Sequence, residues 1–243
     1  MDRVCGEIGM ITVVIPTYNE ETNIEETLKH VINQNIPRSK YEVIIVDGGS
    51  KDKTVKLAKR YANRVIQQKS KGVGGARNDG VAVAKYPIVA TTDADVIVPT
   101  DWLSKILDHF KDPNVIAVCG SDFPREQNGK AIVVFKSIQT IIRLFSKLGK
   151  YPFFGTNTAF RKDVFLGIGG YSHLPYMDDV ELGTRISKCP GKIIFDRKIS
   201  VLSSTRRFEK CGYLNLVLLW LQGHIRLMLS KPLIPRNYSK QNY

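Results

Sequence analysis

What the chain lacks narrows it first. Its four cysteines, Cys5, Cys119, Cys189 and Cys211, are scattered and form no CxxC pair, which argues against a thiolate metal site. At 243 residues the chain is also too long for a small disulfide scaffold, so the cysteines read as reduced thiols of a cytosolic protein. The opening Met1-Asp2-Arg3-Val4-Cys5-Gly6-Glu7 lacks the basic-then-apolar profile of a secretory signal. Residues 1–9 are therefore expected to be a tail, with translation from Met10 as the alternative. No internal repeat or low-complexity stretch occurs. Nor is there a clean apolar run of the roughly 20 residues that a spanning helix needs. The most apolar segment, Tyr213 to Leu229, is interrupted by Asn215, Gln222, His224 and Arg226. Acidic residues are in deficit, 23 against 36 Lys plus Arg, for a net charge of +13. Such a surplus implies an anionic partner: nucleic acid, acidic lipid headgroups or a phosphorylated ligand. The aromatics are not interleaved with the basic residues as in a nucleic-acid module, so no nucleic acid is expected.

What is present is an ordinary globular composition, 43 % hydrophobic and 24 % charged, enough for a sizeable core. Strand and helix patterns alternate over the first 120 residues, the mark of a parallel sheet with crossover helices. Ile11 to Ile15 is a β-branched run. Ile24, Leu28, Val31 and Ile32 then recur at helical spacing, and Thr22 with Glu25 fits a capping box. Tyr41 to Val46 is a second buried-strand pattern, followed by a helix from about Lys53 to Tyr61 and a short strand near Val65. Gly72-Val73-Gly74-Gly75 opens a further helix, and Pro87 to Thr92 and Val115 to Cys119 read as strands.

After residue 125 the pattern changes. Lys130 to Lys150 predicts a helix with an apolar face of Ile132, Phe135, Ile138, Ile142 and Phe145, flanked by Lys130, Lys136, Arg143, Lys147 and Lys150. A mixed region containing Phe153-Phe154-Gly155 and Gly169-Gly170-Tyr171 follows. A helix is expected near Asp178, two short strands before Ser203, and an apolar helix from Tyr213. The organisation inferred is a tail (1–9), two halves of one domain (10–122 and 123–212), and a C-terminal apolar helix with a basic tail (213–243).

Four groups of residues could carry chemistry. Asp93-Ala94-Asp95 follows a buried strand, where open α/β sheets bind ligands, and carboxylates there can hold a hard divalent cation. Asp47, after the second strand, could accept hydrogen bonds from a base, or could cap its own turn together with Ser50 and Asp52. Gly72 to Asn78 is neither a complete GxGxxG nor a P-loop. Its glycines nonetheless allow close backbone approach, and Arg77 could bridge diphosphate oxygens. Asp178, Asp179 and Glu181 either stabilise a helix start through its dipole or supply a general base.

Taken in order, Val13-Val14-Ile15-Pro16-Thr17-Tyr18-Asn19-Glu20, Val46-Asp47-Gly48-Gly49-Ser50-Lys51-Asp52-Lys53-Thr54, Gly75-Ala76-Arg77-Asn78, Asp93-Ala94-Asp95 and Asp178-Asp179-Val180-Glu181-Leu182 resemble the motifs of the family-2 inverting glycosyltransferases. The likeness covers roughly residues 10 to 210. It implies an α/β fold of GT-A type, a Rossmann-like, mainly parallel mixed sheet with flanking helices, in which 10–122 is the nucleotide-sugar-binding half and 123–212 the acceptor-binding half. It implies that Pro16, Thr17, Tyr18 and Glu20 line a nucleotide pocket, that Asp47 contacts the base, and that Arg77 holds base or diphosphate. Asp93 would touch the ribose and Asp95 would ligate Mn²⁺ or Mg²⁺, with Ala94 between them. Gly155, Thr156 and Asn157 would shape the acceptor side, and Asp179, beside Asp178, would be the catalytic base. The implied partners are a nucleoside-diphosphate sugar donor and a glycan or lipid-phosphate acceptor.

Two departures qualify the likeness. The Gln-X-X-Arg-Trp of processive synthases is missing, since Ser204-Thr205-Arg206-Arg207-Phe208 stands near its place; a single-transfer enzyme is thereby favoured. Ser203 to Thr205 also occupy the position of a His that many relatives use at the metal, with Arg206 and Arg207 as alternative phosphate contacts. The 130–150 and 213–229 segments suit a peripheral contact with an anionic membrane on its cytoplasmic face, a homodimer, or packing on the core, and all three stay open. The rival readings are a nucleotide-sugar-binding relative without turnover, a nucleotidyltransferase and a basic nucleic-acid-binding protein.

Overall fold

The β-branched run extends to Thr17 as β1 (Ile11–Thr17), and Tyr41–Asp47 forms β2; every residue of both is buried. Such continuous burial is what a strand shows when helices cover both faces of its sheet, and it explains the absence of an alternating pattern. The computed structural model describes residues 9–126, 128–147, 155–229 and 233. The tail at 1–8, with Cys5, lies outside them, as do Lys150, Phe153, Phe154 and the basic tail beyond Leu233. Cys119, Cys189 and Cys211 are free thiols.

The remaining strands are β3 (Arg64–Gln67), β4 (Ile88–Thr91), β5 (Val96–Ile97), β6 (Val115–Pro124), β7 (Thr158–Arg161) and β8 (Lys192–Ser203). They join one sheet in the order β3-β2-β1-β4-β7-β6-β8-β5. β1 to β4 are parallel, β7 runs antiparallel between β4 and β6, β6 and β8 are parallel, and β5 lies antiparallel on the edge. The helices are α1 (Ile24–Ile32), α2 (Thr54–Ala58), α3 (Gly72–Val83), α4 (Trp102–His109), α5 (Gly129–Lys147), α6 (Lys162–Gly167), α7 (Asp178–Ile186), α8 (Arg206–Cys211) and α9 (Tyr213–Met228).

Alternate residues of each central strand feed opposite cores. Val13, Ile15, Val43 and Ile45 pack with Ile24, Leu28, Trp102 and Phe110 on one face. Val14, Ile44 and Val46 pack with Ala76, Val81, Phe165 and Leu182 on the other. Helix α3 lies flush on the sheet because Gly80 has no side chain: a Cβ there would stand 2.3 Å from Val14 Cγ1 and 3.0 Å from Val46 Cγ2. A third cluster joins Phe135 of α5, Phe208 of α8, Leu216 and Leu219 of α9, and Tyr176 and Met177.

Several local expectations change. The capping box at Thr22 does not form, because the helix begins one residue later behind Asn23, and Glu25 turns outward to the Tyr61 hydroxyl (2.7 Å) and Lys29. The two short strands before Ser203 are a single strand, β8, whose register against β6 jumps from Gly120↔Asp196 to Ser121↔Ser200. That irregularity breaks the hydrophobic pattern without breaking the ladder. The helix expected to reach Tyr61 ends regular winding at Ala58 and continues as turns. In α5 the packing alternative holds for Phe135 and Ile138, which join the third cluster, while Val133, Ile141 and Leu144 are exposed. The α9 residues Leu214, Leu218, Leu221, Ile225 and Leu229 are exposed as well. Among the described residues no helix is long and apolar enough to cross a membrane.

Candidate active site

The parallel strands all deliver their C-terminal ends to one edge, where Thr17, Asp47, Asp93 and Asp122 gather, as open α/β sheets do for ligands. Two loops build the near wall. The Asn19 amide donates to Ser50 Oγ (2.8 Å) and the Lys51 amide to Asn19 Oδ1 (2.9 Å). The Glu20 amide donates to Thr54 Oγ1 (2.7 Å) and the Lys53 amide to Glu21 Oε2 (3.0 Å). Asn19 adopts positive φ (51°), which asparagine tolerates better than most residues. This reciprocal lock fixes Tyr18 and Glu20 over the strand ends, with Pro16 and Thr17 buried behind them. Asp47 closes its own turn: its carboxylate accepts the Gly49 and Ser50 amides (3.0 Å each) and the Ser50 hydroxyl (2.6 Å). The turn-capping alternative is thus realised, with Asp47 buried at the end of β2.

Arg77 is the centre of the site. Its Nη2 pairs with Asp93 Oδ1 at 2.6 Å, and its side chain is only 5 % exposed. The guanidinium lies over the Tyr171 ring, 5.5 Å from the centroid. Gly155 is required beside it, since a Cβ there would fall within 2.2–2.4 Å of guanidinium atoms. Burial works against this charge, but Asp93, Tyr171, Asp178 and Asp179 more than restore it, so its pKa stands above the ordinary arginine value.

Asp178 and Asp179 begin α7 and face this cation. The Gly155 amide donates to Asp179 Oδ2 (3.3 Å) and the Val180 amide to Oδ1 (2.8 Å). Burial, and next the charge of Asp178, push the Asp179 carboxyl up to about 7. Burial raises Asp178 as well. Its carboxylate packs on the bare backbone of Gly74, where a Cβ would sit 2.4 Å from Oδ2. Met177, the residue before the helix, is held at positive φ (63°). A methionine in that conformation marks a backbone dictated by its surroundings.

Glu20, Asp95 and Arg206 form a second charged cluster. Arg206 Nη2 lies 2.5 Å from Glu20 Oε1 and 3.3 Å from Asp95 Oδ2. Burial first, then Asp93 and Glu20, push Asp95 up to about 6 against the pull of Arg206 and Arg207. Ala94 is buried and its carbonyl accepts the Thr27 hydroxyl (2.8 Å), which anchors the Asp93–Asp95 turn. Arg207 is exposed at the rim.

Asp122 at the end of β6 went unnoticed in the sequence. It is buried, accepts the Thr156 hydroxyl at 3.1 Å, and leaves Oδ1 without a donor. Burial raises it to about 7, with Asp93 and Asp95 adding to the effect. Asn157 ties the Gly155–Asn157 turn to the sheet: its amide donates to Ser121 O and Ile199 O, and its Oδ1 accepts Trp102 Nε1 (3.0 Å).

The donor atoms at this edge are carboxylate oxygens, the ligands that hard divalent cations take, and Asp122 Oδ1 is an orphaned acceptor among them. Among the described residues, no three His, Cys, Asp or Glu side chains converge tightly enough to hold a metal alone. The set therefore fits a cation whose shell is completed by phosphate oxygens and water, as is usual for Mg²⁺.

Comparison with known proteins bears on this geometry. The family model described as Glycosyl transferase family 2 matches residues 12–169. Glycosyltransferase AglE of Haloferax volcanii is 28 % identical over 210 residues, taking in 83 % of this chain and 69 % of its own. The O-antigen chain rhamnosyltransferase RfbN of Salmonella typhimurium is 30 % identical over 207 residues, 76 % of this chain and 63 % of its own. Among solved structures, the mannosyltransferase PcManGT of Pyrobaculum calidifontis, in complex with GDP-Man and Mn²⁺, superposes with a TM-score of 0.67. It is 28 % identical over 79 % of this chain and 56 % of that one. TarS of S. aureus, in complex with UDP-GlcNAc, gives a TM-score of 0.68 at 19 % identity over 80 % of this chain and 58 % of its own; that likeness is one of fold alone. The chain spans 56 to 69 % of the length of these relatives.

Proposed function

The chain belongs to glycosyl transferase family 2, and from that premise we propose that it transfers a sugar, with inversion, from a nucleoside-diphosphate sugar to a hydroxyl or phosphate acceptor. The observation that carries the proposal is the gathering of carboxylates around the buried Arg77: Asp93 is ion-paired with it, and Asp178 and Asp179 act on its charge.

Inverting transfer needs a base on the acceptor's side of the sugar and neutralisation on the leaving group's side. Asp179 supports the first role. A carboxyl pushed up to about 7 has the basicity to take a hydroxyl proton near neutral pH, whereas an ordinary carboxylate is a far weaker base. The Gly155 and Val180 amides orient it. Arg77 offers a fixed, permanently charged fork to base or diphosphate, and Asp93 lies beside it for the ribose. Pro16, Thr17, Tyr18, Glu20 and Asp47 would form the nucleotide wall, and Gly155, Thr156 and Asn157 the acceptor wall. Mn²⁺ or Mg²⁺ at Asp95, when bound with the diphosphate, supplies Lewis-acid neutralisation of the departing group. Arg206 and Arg207 stand where they could add to that neutralisation.

The acceptor is read as a glycan or lipid phosphate presented at an anionic membrane. The exposed leucines of α9, the exposed Val133, Ile141 and Leu144 of α5, and the net charge of +13 support a peripheral contact on the cytoplasmic face. A homodimer through the same face is the competing use of that surface.

A panel of UDP-, GDP- and dTDP-sugars, screened by thermal shift with and without Mn²⁺, tests the donor assignment. A cognate donor should raise the melting temperature only with the metal, and Asp95→Ala should abolish the increment. Silence across the whole panel would remove the sugar-nucleotide reading. An equal shift without Mn²⁺ would remove the metal alone.

A further inference from the structure

Arg206 opens α8, yet its guanidinium contacts Glu20 and Asp95, which lie 186 and 111 positions earlier in the chain. The contact is a lid in miniature: the arginine side chain is 43 % exposed, and the carboxylates beneath it are 16 % and 24 % exposed. The backbone behind it is pinned. The Thr205 amide donates to Glu126 Oε2 (2.7 Å), the Arg206 amide to Ser204 Oγ (3.2 Å), and Phe208 is buried against Phe135 and Trp220. A change of partner by Arg206 therefore requires only side-chain rotation, with α8 staying in place.

The charges make such a change necessary. Asp93 is already paired with Arg77, so Glu20 and Asp95 share Arg206. A divalent cation at Asp95 would meet the guanidinium at the same carboxylate, where the two like charges repel. We propose that Arg206 competes with the divalent cation for Glu20 and Asp95 and passes to the diphosphate oxygens when cation and nucleotide bind together. This rests on the metal assignment at Asp95 made above. The guanidinium fork suits either partner, since it matches carboxylate and phosphate geometry equally. The consequence is ordered loading: the metal enters well only when it brings a diphosphate that draws the arginine away.

The test is binding of Mn²⁺ to the full chain, followed by electron paramagnetic resonance, for wild type and Arg206→Gln. It is run with the metal alone and then with UDP or GDP. The two affinities should move in opposite directions. Without nucleotide, Arg206→Gln should bind Mn²⁺ about five- to tenfold tighter, because a competing charge is gone. With nucleoside diphosphate it should bind about five- to tenfold more weakly, because a phosphate contact is gone. Arg206→Lys, which keeps the charge and loses the fork, should restore the competition but only part of the phosphate contact. Equal Mn²⁺ affinity of wild type and Arg206→Gln without nucleotide overturns the inference, as does a parallel loss of both affinities. Absence of Mn²⁺ uptake by either protein under every condition overturns the metal assignment and the inference together, and so is told apart from failure of the inference alone.

Discussion

Asp179→Asn should abolish turnover and make the protein more stable, by an amount that grows from about pH 4 to pH 7 and then levels off. The carboxyl has an ordinary value of 3.8 and is pushed up to about 7 in the fold, first by burial and then by Asp178. Below about pH 4 both folded and unfolded chains carry the proton, and the substitution changes little. As pH rises from about 4 to 7 the unfolded chain is ionised while the folded chain keeps its proton, so the wild type progressively loses stability that asparagine, with no proton to release, retains; above 7 both states are ionised and the difference levels off. The gap between 3.8 and about 7, at about 1.4 kcal/mol per pH unit, sets a ceiling near 4 kcal/mol. That gap already contains the opposing pull of Arg77 and of the Gly155 and Val180 amides, so what reduces it further is relaxation of the site and the imperfect replacement of the carboxyl by the asparagine amide. The expected net gain at pH 8 is therefore about 1–2 kcal/mol, or roughly 2–6 °C in melting temperature for a domain of this size. At pH 5, about one pH unit into the gap, the gain should be less than half of that at pH 8. Differential scanning fluorimetry at the two pH values reads the stability. A transfer assay with the donor found by screening reads the chemistry, which should fall about 100- to 10,000-fold on loss of a general base. An identical melting-temperature change at pH 5 and pH 8, or destabilisation at pH 8, would refute the reasoning, because the environment of Asp179 would then not be penalising its charge.

Gly80→Ala should lower stability by about 1–2 kcal/mol in urea denaturation, since overpacking against Val14 outweighs the gain in helix propensity. A stabilised variant would mean that α3 can retreat from the sheet at no cost. Flotation with anionic liposomes should carry the wild type to the top of the gradient and leave Leu218→Asp/Leu221→Asp behind, with the same folded circular-dichroism spectrum. A monomer that never floats, or a variant that floats equally, would detach this face from the membrane.

The parts of the fold legible in the sequence are those in which one short-range pattern decides one element. The β-branched runs at Ile11 and Tyr41 became the two fully buried strands, and the glycines at 72–75 opened α3 as expected. Strands β5 and β7, of two and four residues, are too short to display a period and owe their pairing to neighbours distant in the chain. The register jump in β8 disguised one strand as two. Within the site, motif order brought Asp93, Asp95, Arg77 and Asp179 into consideration, but not their pairings. Asp122 escapes notice because the strand pattern reads as ending at Cys119; β6 runs on to Pro124, and its antiparallel pairing of Cys119 with Thr158 brings Asp122 to Thr156. The contact of Arg206 with Glu20 joins the segments that follow β8 and β1, 186 positions apart, and no local pattern encodes it.

The glycines of α3 have a bearing on how the molecule assembles. Gly74, Gly75 and Gly80 each sit where a Cβ would strike a neighbour, and with Gly72 at its start the helix accepts four glycines within twelve residues. At about 1 kcal/mol apiece, they leave a segment that cannot hold helical form in isolation. It winds only when Val14 and Val46 are already in place to receive it. The chain should thus lay down β1 and β2 early and close α3 over them late. Arg77 then reaches its carboxylates in one of the last folding events, and an incompletely folded molecule has no premature anion trap to expose.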